Sequence, residues 1–221
     1  MQDRLRRLRR NLLVAASGCA LAGSGARAAP EGPVIAHQGT SGGAPPCVAC
    51  HGASGEGNPA VNAPRLAGLG ASYLEEQLSA FADGKRANPT MTSVAKALSP
   101  GHRQAVAAYY SGLAAPPAPA PAPVPAGAWL ATRGRWAENL PACDACHGPN
   151  GLGVGAAFPP LAGLPAAYTE EQLRAWKTGA RPAGPLGLMG AVAARLSPGD
   201  IKAVAAYFAG QPAAAPQRAE K

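Results

Sequence analysis

Two five-residue segments carry the chemistry of this chain, Cys47-Val48-Ala49-Cys50-His51 and Cys143-Asp144-Ala145-Cys146-His147. Cysteines three apart on one helical turn project from the same side. There their thiols can add to the two vinyl groups of one porphyrin, forming two thioethers. The histidine that follows then presents its imidazole to the iron. Cys-x-x-Cys-His is the attachment pattern of c-type haem, so two covalently bound c-type haems are expected, held by Cys47 and Cys50 and by Cys143 and Cys146.

Other chemistries use the same residue types. Four cysteines in an exported protein can pair as disulfides, and Cys-x-x-Cys also serves as a redox dithiol or as half of a zinc site. A dithiol needs no histidine after it, and a structural zinc closes with four ligands, whereas each segment offers two cysteines and one histidine. A haem held by one histidine needs a second axial ligand to be saturated. Apart from Met1 the chain has two methionines, Met91 and Met189, which follow the two histidines by 40 and 42 residues. They sit in what read as loops flanked by proline or glycine, Pro89-Thr90-Met91 and Gly187-Leu188-Met189. His51 with Met91 and His147 with Met189 are therefore the expected axial pairs, a combination that raises the haem potential. His37, in what reads as a flexible N-terminal segment, and His102 have no counterpart in the second half. They read as surface or capping residues.

The elements that position these residues come as a repeat. Pro64-Arg65-Leu66-Ala67-Gly68-Leu69 recurs as Pro159-Pro160-Leu161-Ala162-Gly163-Leu164, and Tyr73-Leu74-Glu75-Glu76-Gln77-Leu78 as Tyr168-Thr169-Glu170-Glu171-Gln172-Leu173. Leu98-Ser99-Pro100-Gly101 and Val106-Ala107-Ala108-Tyr109 recur in the same order 98 residues later. The chain is a duplicated domain. Ser99-Pro100 and Ser197-Pro198 read as helix starts, an N-cap followed by proline at the first helical position, with Gly112 and Gly210 as stops. Val106, Tyr109, Tyr110 and Leu113 share one helical face, as do Ile201, Val204 and Phe208. A further helix in each half is expected to begin at a capping box, Ser72-x-x-Glu75 and Thr169-x-x-Gln172, burying Leu78 with Phe81 and Leu173 with Trp176. No strand-like alternation occurs, so the class is all-α. An opening helix is expected before the second site at Ala128 to Trp136, whereas the stretch from Gly39 to Pro46 before the first site is poor helix material.

The boundaries read as 1–28 for a leader, 31–113 for the first domain, 114–126 for an Ala/Pro-rich linker, 127–211 for the second domain and 212–221 for a flexible tail. The linker should adopt extended polyproline II, and its 12 alternating residues could hold the halves up to about 40 Å apart. In the leader, basic residues from Arg4 to Arg10 precede an apolar stretch, Leu12 to Ala22, and a small-x-small site at Ala26-Arg27-Ala28. That pattern predicts export with cleavage before Ala29. A twin-arginine signal and a lipid anchor at Cys19 are the rivals. Composition narrows the rest. Gly (28) and Pro (24) interrupt every apolar run and only 5% of residues are aromatic, so each half has little with which to fill its own centre. The formal charge of +8 falls to +3 once the leader's six arginines and Asp3 are removed, with no Lys/Arg cluster left to track phosphates. Nucleic acid is excluded as a partner, and no stable membrane insertion of the mature chain is expected.

With these motifs together, the chain resembles class I c-type cytochromes, and its tandem arrangement is similar to the di-haem cytochrome c4 family. The resemblance covers residues 44–113 and 127–211. It implies two tandem cytochrome c-like haem domains joined by the Pro-rich linker. It also implies that the backbone carbonyls of Pro64 and Pro159 accept the ring N–H of each axial histidine, and that Arg86 and Arg181 lie near the haem propionates. The implied function is that of a periplasmic electron carrier. It would shuttle single electrons between a quinol-oxidising complex or dehydrogenase and a terminal oxidase or reductase, its partners being redox proteins. A cytochrome subunit of a larger oxidoreductase, or a di-haem peroxidase or sulfur-oxidising enzyme, are the alternatives. A methionine in both halves argues against an open catalytic iron.

Overall fold

The computed structural model describes residues 31–117, 124–183 and 185–213. The leader, residues 118–123 of the Ala/Pro run and the end of the tail lie outside the described residues. All regular structure among the described residues is helical, apart from three isolated bridges that close small loops. The first half contains α1 (Glu31–Gln38), α2 (Val48–His51), α3 (Ala71–Ala82), α4 (Pro89–Lys96) and α5 (Pro100–Ser111). The second repeats the set as α6 (Pro125–Arg133), α7 (Asp144–His147), α8 (Ala166–Lys177), α9 (Leu188–Arg195) and α10 (Pro198–Ala209).

In each half the first helix packs on the last, α1 on α5 and α6 on α10. The crossing is set by one glycine on each opening helix. A Cβ at Gly32 would overlap the Ala105 carbonyl, and one at Gly127 would overlap the Ala203 carbonyl. A backbone oxygen inside a helix cannot move aside, so only hydrogen fits between the helices. The last helix then packs on the middle one, α5 on α3 and α10 on α8, which in turn packs on α4 or α9.

The helix starts read from Ser-Pro are present. Ser99 accepts from the His102 N–H at 3.1 Å. Ser197 accepts from the Asp200 N–H at 3.1 Å while the Asp200 carboxylate accepts from the Ser197 N–H at 2.8 Å, a closed capping box. The boxes expected at Ser72 and Thr169 do not form. The middle helices start earlier, after Gly70 and Pro165, neither of which supplies a side-chain cap. Thr169 is thereby carried into the helix interior and buried. The opening helices also differ from expectation. The first half has one, α1, placed just before Gly39, so the unsuitable stretch is a loop that follows the helix. In the second half α6 starts at Pro125, inside the segment read as linker. It stops at Gly134, and Trp136 falls in a separate 3₁₀ turn.

Each half has its own small apolar cluster. The first gathers Ile35, Leu69, Leu74, Leu98, Val106 and Tyr110; the second gathers Leu130, Leu140, Leu173, Leu196, Ile201 and Val204. Phe81, Leu173, Ile201, Val204 and Phe208 are buried as their spacing predicts.

Candidate functional site

Each Cys-x-x-Cys-His segment folds as a single helical turn, α2 or α7, with its first cysteine at the N-cap position. The chain then reverses identically in both halves. Gly57 N–H donates to the His51 carbonyl and Gly153 N–H to the His147 carbonyl, both at 2.7 Å. The loop that follows is pinned at Leu66 N–H to the Gly55 carbonyl and at Leu161 N–H to the Gly151 carbonyl, both at 2.8 Å. This brings the Pro64 carbonyl to 2.8 Å from His51 Nδ1, and the Pro159 carbonyl to 2.8 Å from His147 Nδ1. A carbonyl can only accept, so the proton sits on Nδ1 and Nε2 keeps its lone pair for a metal. Both rings are buried, His51 at 7% exposure and His147 at 8%. Desolvation holds their pKa values below the ordinary histidine range, which keeps the imidazoles neutral.

The four cysteines are unpaired. Burial pushes the Cys47 thiol up and the Cys143 thiol up to about 12. A zinc ligand or an attacking dithiol needs a stabilised thiolate, and burial of Cys47 and Cys143 works against one. Among the described residues no group of three or more His, Cys, Asp or Glu side chains converges on a common point. The donor set in each half is two cysteine sulfurs on one helical turn and one imidazole nitrogen, which suits thioether attachment and axial ligation of a haem.

Both methionines lie on helices and not in loops. Met91 is in the first turn of α4, where Asn88 accepts from its N–H at 2.9 Å and Pro89 takes the first helical position. Met189 is in the first turn of α9, which starts after Gly187, and it rests against the second apolar cluster. His37 occupies the last turn of α1, and its Nε2 lies 3.1 Å from the Tyr109 hydroxyl. That places it in a surface pair and not in a flexible segment.

Arg86 and Arg181 lie where the two halves meet, and the halves do touch. Arg86 donates to Gln77 Oε1 of its own half at 2.8 Å, and across the boundary to the Tyr168 hydroxyl at 2.9 Å and Gln172 Oε1 at 2.7 Å. Arg181 donates to Gln172 Oε1 at 3.0 Å and across the boundary to Gln77 Oε1 at 2.9 Å. The two guanidiniums and two amide oxygens thus close a pseudo-symmetric ring. Each guanidinium also stacks on an aromatic of its own half, Arg86 on Phe81 and Arg181 on Trp176. Arg65 donates to the Ala67 carbonyl of its own half and to the Ala162 carbonyl of the other at 2.8 Å. Arg65, Gln77, Gln172 and Tyr168 are boundary residues that sequence reasoning missed. The available signal was the recurrence of Tyr-x-x-x-Gln, which puts two polar groups on one helical face in both repeats.

The family model described as "Cytochrome c" matches residues 44–114 and 135–211. The chain belongs to the cytochrome c family. A relative named "Thiosulfate dehydrogenase electron acceptor", from Thiomonas intermedia (strain K12), is 50% identical over 170 residues, covering 75% of this chain and 78% of the relative. A solved structure of reduced recombinant cytochrome c4 from Pseudomonas stutzeri superposes with a TM-score of 0.70 at 37% identity, covering 75% of this chain and 93% of that one. A solved structure of a thiosulfate dehydrogenase from Marichromatium purpuratum superposes with a TM-score of 0.78 at 48% identity. It covers 82% of this chain, which spans only 40% of that longer chain. The cytochrome is a di-haem, class I, cytochrome c4-like protein with two tandem all-α haem domains and two covalently bound c-type haems. It is an electron carrier and not an enzyme, in keeping with relatives named as electron acceptors or cytochromes. No helix among the described residues is long and apolar enough to cross a membrane.

Proposed function

We propose that this di-haem cytochrome is an exported, periplasmic carrier that takes electrons one at a time from a dehydrogenase oxidising a sulfur compound such as thiosulfate and hands them to a terminal acceptor of a respiratory chain. In this reading Cys47, Cys50, Cys143 and Cys146 hold the haems, His51 and His147 are axial ligands, and Met91 and Met189 complete the coordination. A haem bound in this way supplies a single-electron couple with no open position for substrate. The chain's own part is to orient and to insulate. The Pro64 and Pro159 carbonyls lock each imidazole in the tautomer that leaves Nε2 free, and the helices around each ring exclude water. Arg86 and Arg181 offer their charge to haem propionates near the boundary.

The observation that carries the reading is the duplication of the whole set. Each half has a Cys-x-x-Cys-His turn and a carbonyl-locked histidine, with a methionine on a short helix downstream. The sulfur-oxidising donor is supported by the names of the relative and of the longer solved structure. The test is stopped-flow mixing of the oxidised, haem-loaded cytochrome with a thiosulfate dehydrogenase and thiosulfate, followed at the reduced-haem band. Reduction of both haems within the dehydrogenase turnover time is expected. Reduction no faster than by thiosulfate alone would reject the donor. Loss of the methionine-to-iron band in Met91→Ala and Met189→Ala checks the ligands.

A further inference from the structure

The helices that carry the two methionines end alike, although the residues that close them are not equivalent. α4 and α9 have eight residues each, too few to hold a helix alone in water, and the last carbonyls of a helix have no partner within it. In the first half Arg103 Nη1, on α5, donates to the carbonyls of Ala95 at 3.4 Å and Leu98 at 3.2 Å. In the second half Lys177 Nζ, at the end of α8, donates to the carbonyls of Ala193 at 3.5 Å, Ala194 at 2.9 Å and Leu196 at 2.7 Å. Ala95 and Leu98 are the repeat equivalents of Ala193 and Leu196.

The same two carbonyls are therefore taken by a cation that arrives from a different helix in each half. Where the second half has Lys177, the last residue of α8, the first has Ala82, the last residue of α3. Where the first half has Arg103, the second has Ile201, a member of its apolar cluster. Neither cation forms an ion pair among the described residues, so these carbonyls are its partners. A cation at a helix C-terminus also meets the negative end of the helix dipole. Each helix closed in this way bears its methionine in the first turn, about two turns from the cation.

We infer that Arg103 and Lys177 are positioning residues, each fixing the far end of the short helix that bears its half's axial methionine and so holding that methionine in place against exchange for an outside ligand. The inference rests on the reading of Met91 and Met189 as axial ligands. α4 packs mainly on α3, and α9 on α8. Arg103 adds a tie from α4 to α5, and Lys177 ties α9 more firmly to α8. With the tie removed, the helix can swing about its remaining contacts and carry the thioether away. Arg103 governs only the first site and Lys177 only the second, because each reaches carbonyls of its own half alone.

The test uses the full-length, haem-loaded protein in its ferric state, with Arg103→Leu and Lys177→Leu, which remove the donors, beside Arg103→Lys and Lys177→Arg, which keep a cation. The methionine-to-iron band is read first, and its absence from the wild type would overturn the underlying reading. Imidazole is then added, and its replacement of methionine is followed as loss of that band. In Arg103→Leu and in Lys177→Leu about half of the band should decay roughly tenfold faster than in wild type, as the loss of one or two hydrogen bonds to a charged group predicts. The other half should keep the wild-type rate, and the cation-keeping variants should stay near wild type throughout. Wild-type decay in both Leu variants would overturn the inference. Equal acceleration at both haems would also overturn it, since general loosening of the fold gives that result. Lys177 is exposed, so should Arg103→Leu fail to accumulate, Lys177→Leu and Lys177→Arg carry the decision alone.

Discussion

The two halves of this cytochrome share their scaffold but not their stabilising charges. Both cross their outer helices at a glycine, Gly32 or Gly127. Both cap the last helix with Ser-Pro, and both lock the axial histidine on a proline carbonyl. The second half adds a staple. Arg135 grips Asp200 with two hydrogen bonds of 2.9 Å and reaches Glu138 at 2.9 Å, tying the loop before the haem turn to α10. The first half has Thr40 and His102 at the corresponding places and no such pair, and it carries instead the buried Arg65. Positions dictated by helix contact or by haem geometry therefore stayed alike after duplication. Surface loops and the boundary diverged, because several arrangements satisfy them equally well.

The equivalence of the haem turns is tested by the largest effect. Cys47→Ala with Cys50→Ala should reduce covalent haem from two per chain to one, and Cys143→Ala with Cys146→Ala should do the same; a pyridine haemochrome count reads both. Unequal losses would mean that one half depends on the other for attachment. Next come the helix crossings. Gly32 and Gly127 lie in the first turns of α1 and α6, where alanine gains less than the roughly 1 kcal/mol over glycine that it gains in mid-helix, and overlap with an immovable carbonyl costs more. Gly32→Ala and Gly127→Ala should each lose about 2 kcal/mol net, measured by denaturant unfolding of the haem-loaded protein. A stabilised variant in either half would break the comparison there.

Smaller effects sharpen the difference between halves. Ser99→Ala and Ser197→Ala should each cost about 1 kcal/mol. The second should cost slightly more, because it also frees the reciprocal Asp200 bond. Asp200 provides the pH test. Its pairing with Arg135 holds the carboxyl well below the ordinary carboxylate range. The stabilisation is thus complete above about pH 4, the unfolded value, and disappears as pH falls through the lowered native value. Asp200→Asn should lower the melting temperature slightly at pH 7 and flatten its acid dependence. Equal acid limbs in wild type and Asp200→Asn would show that the staple contributes nothing.

How far the residues spoke for themselves varies along the chain. Cys-x-x-Cys-His, the Ser-Pro helix starts and the apolar faces of α5 and α10 were legible because each depends on neighbours within four residues. The helices bearing Met91 and Met189 were missed, although Asn88-Pro89 is itself a helix-start signal, because Pro and Gly nearby pointed to loops. The expected Ser72 and Thr169 caps failed as well. The helices run on past those positions to Gly70 and Pro165, where no side chain caps them.

The amino-acid sequence by itself determined the duplication, the helical class and the residues that can hold two haems, since all of these rest on spacing and short-range hydrogen bonding. Only the tertiary structure decided that the halves meet and do not hang apart on an extended linker. It also decided that Arg86 and Arg181 interlock through Gln77 and Gln172, and that Arg65 lies buried between Ala67 and Ala162. The physical reason is distance along the chain. The partners across the boundary are separated by 86 to 104 residues, and no local pattern announces that a charged residue, ordinarily left in water, will be enclosed when two copies of one domain close upon each other.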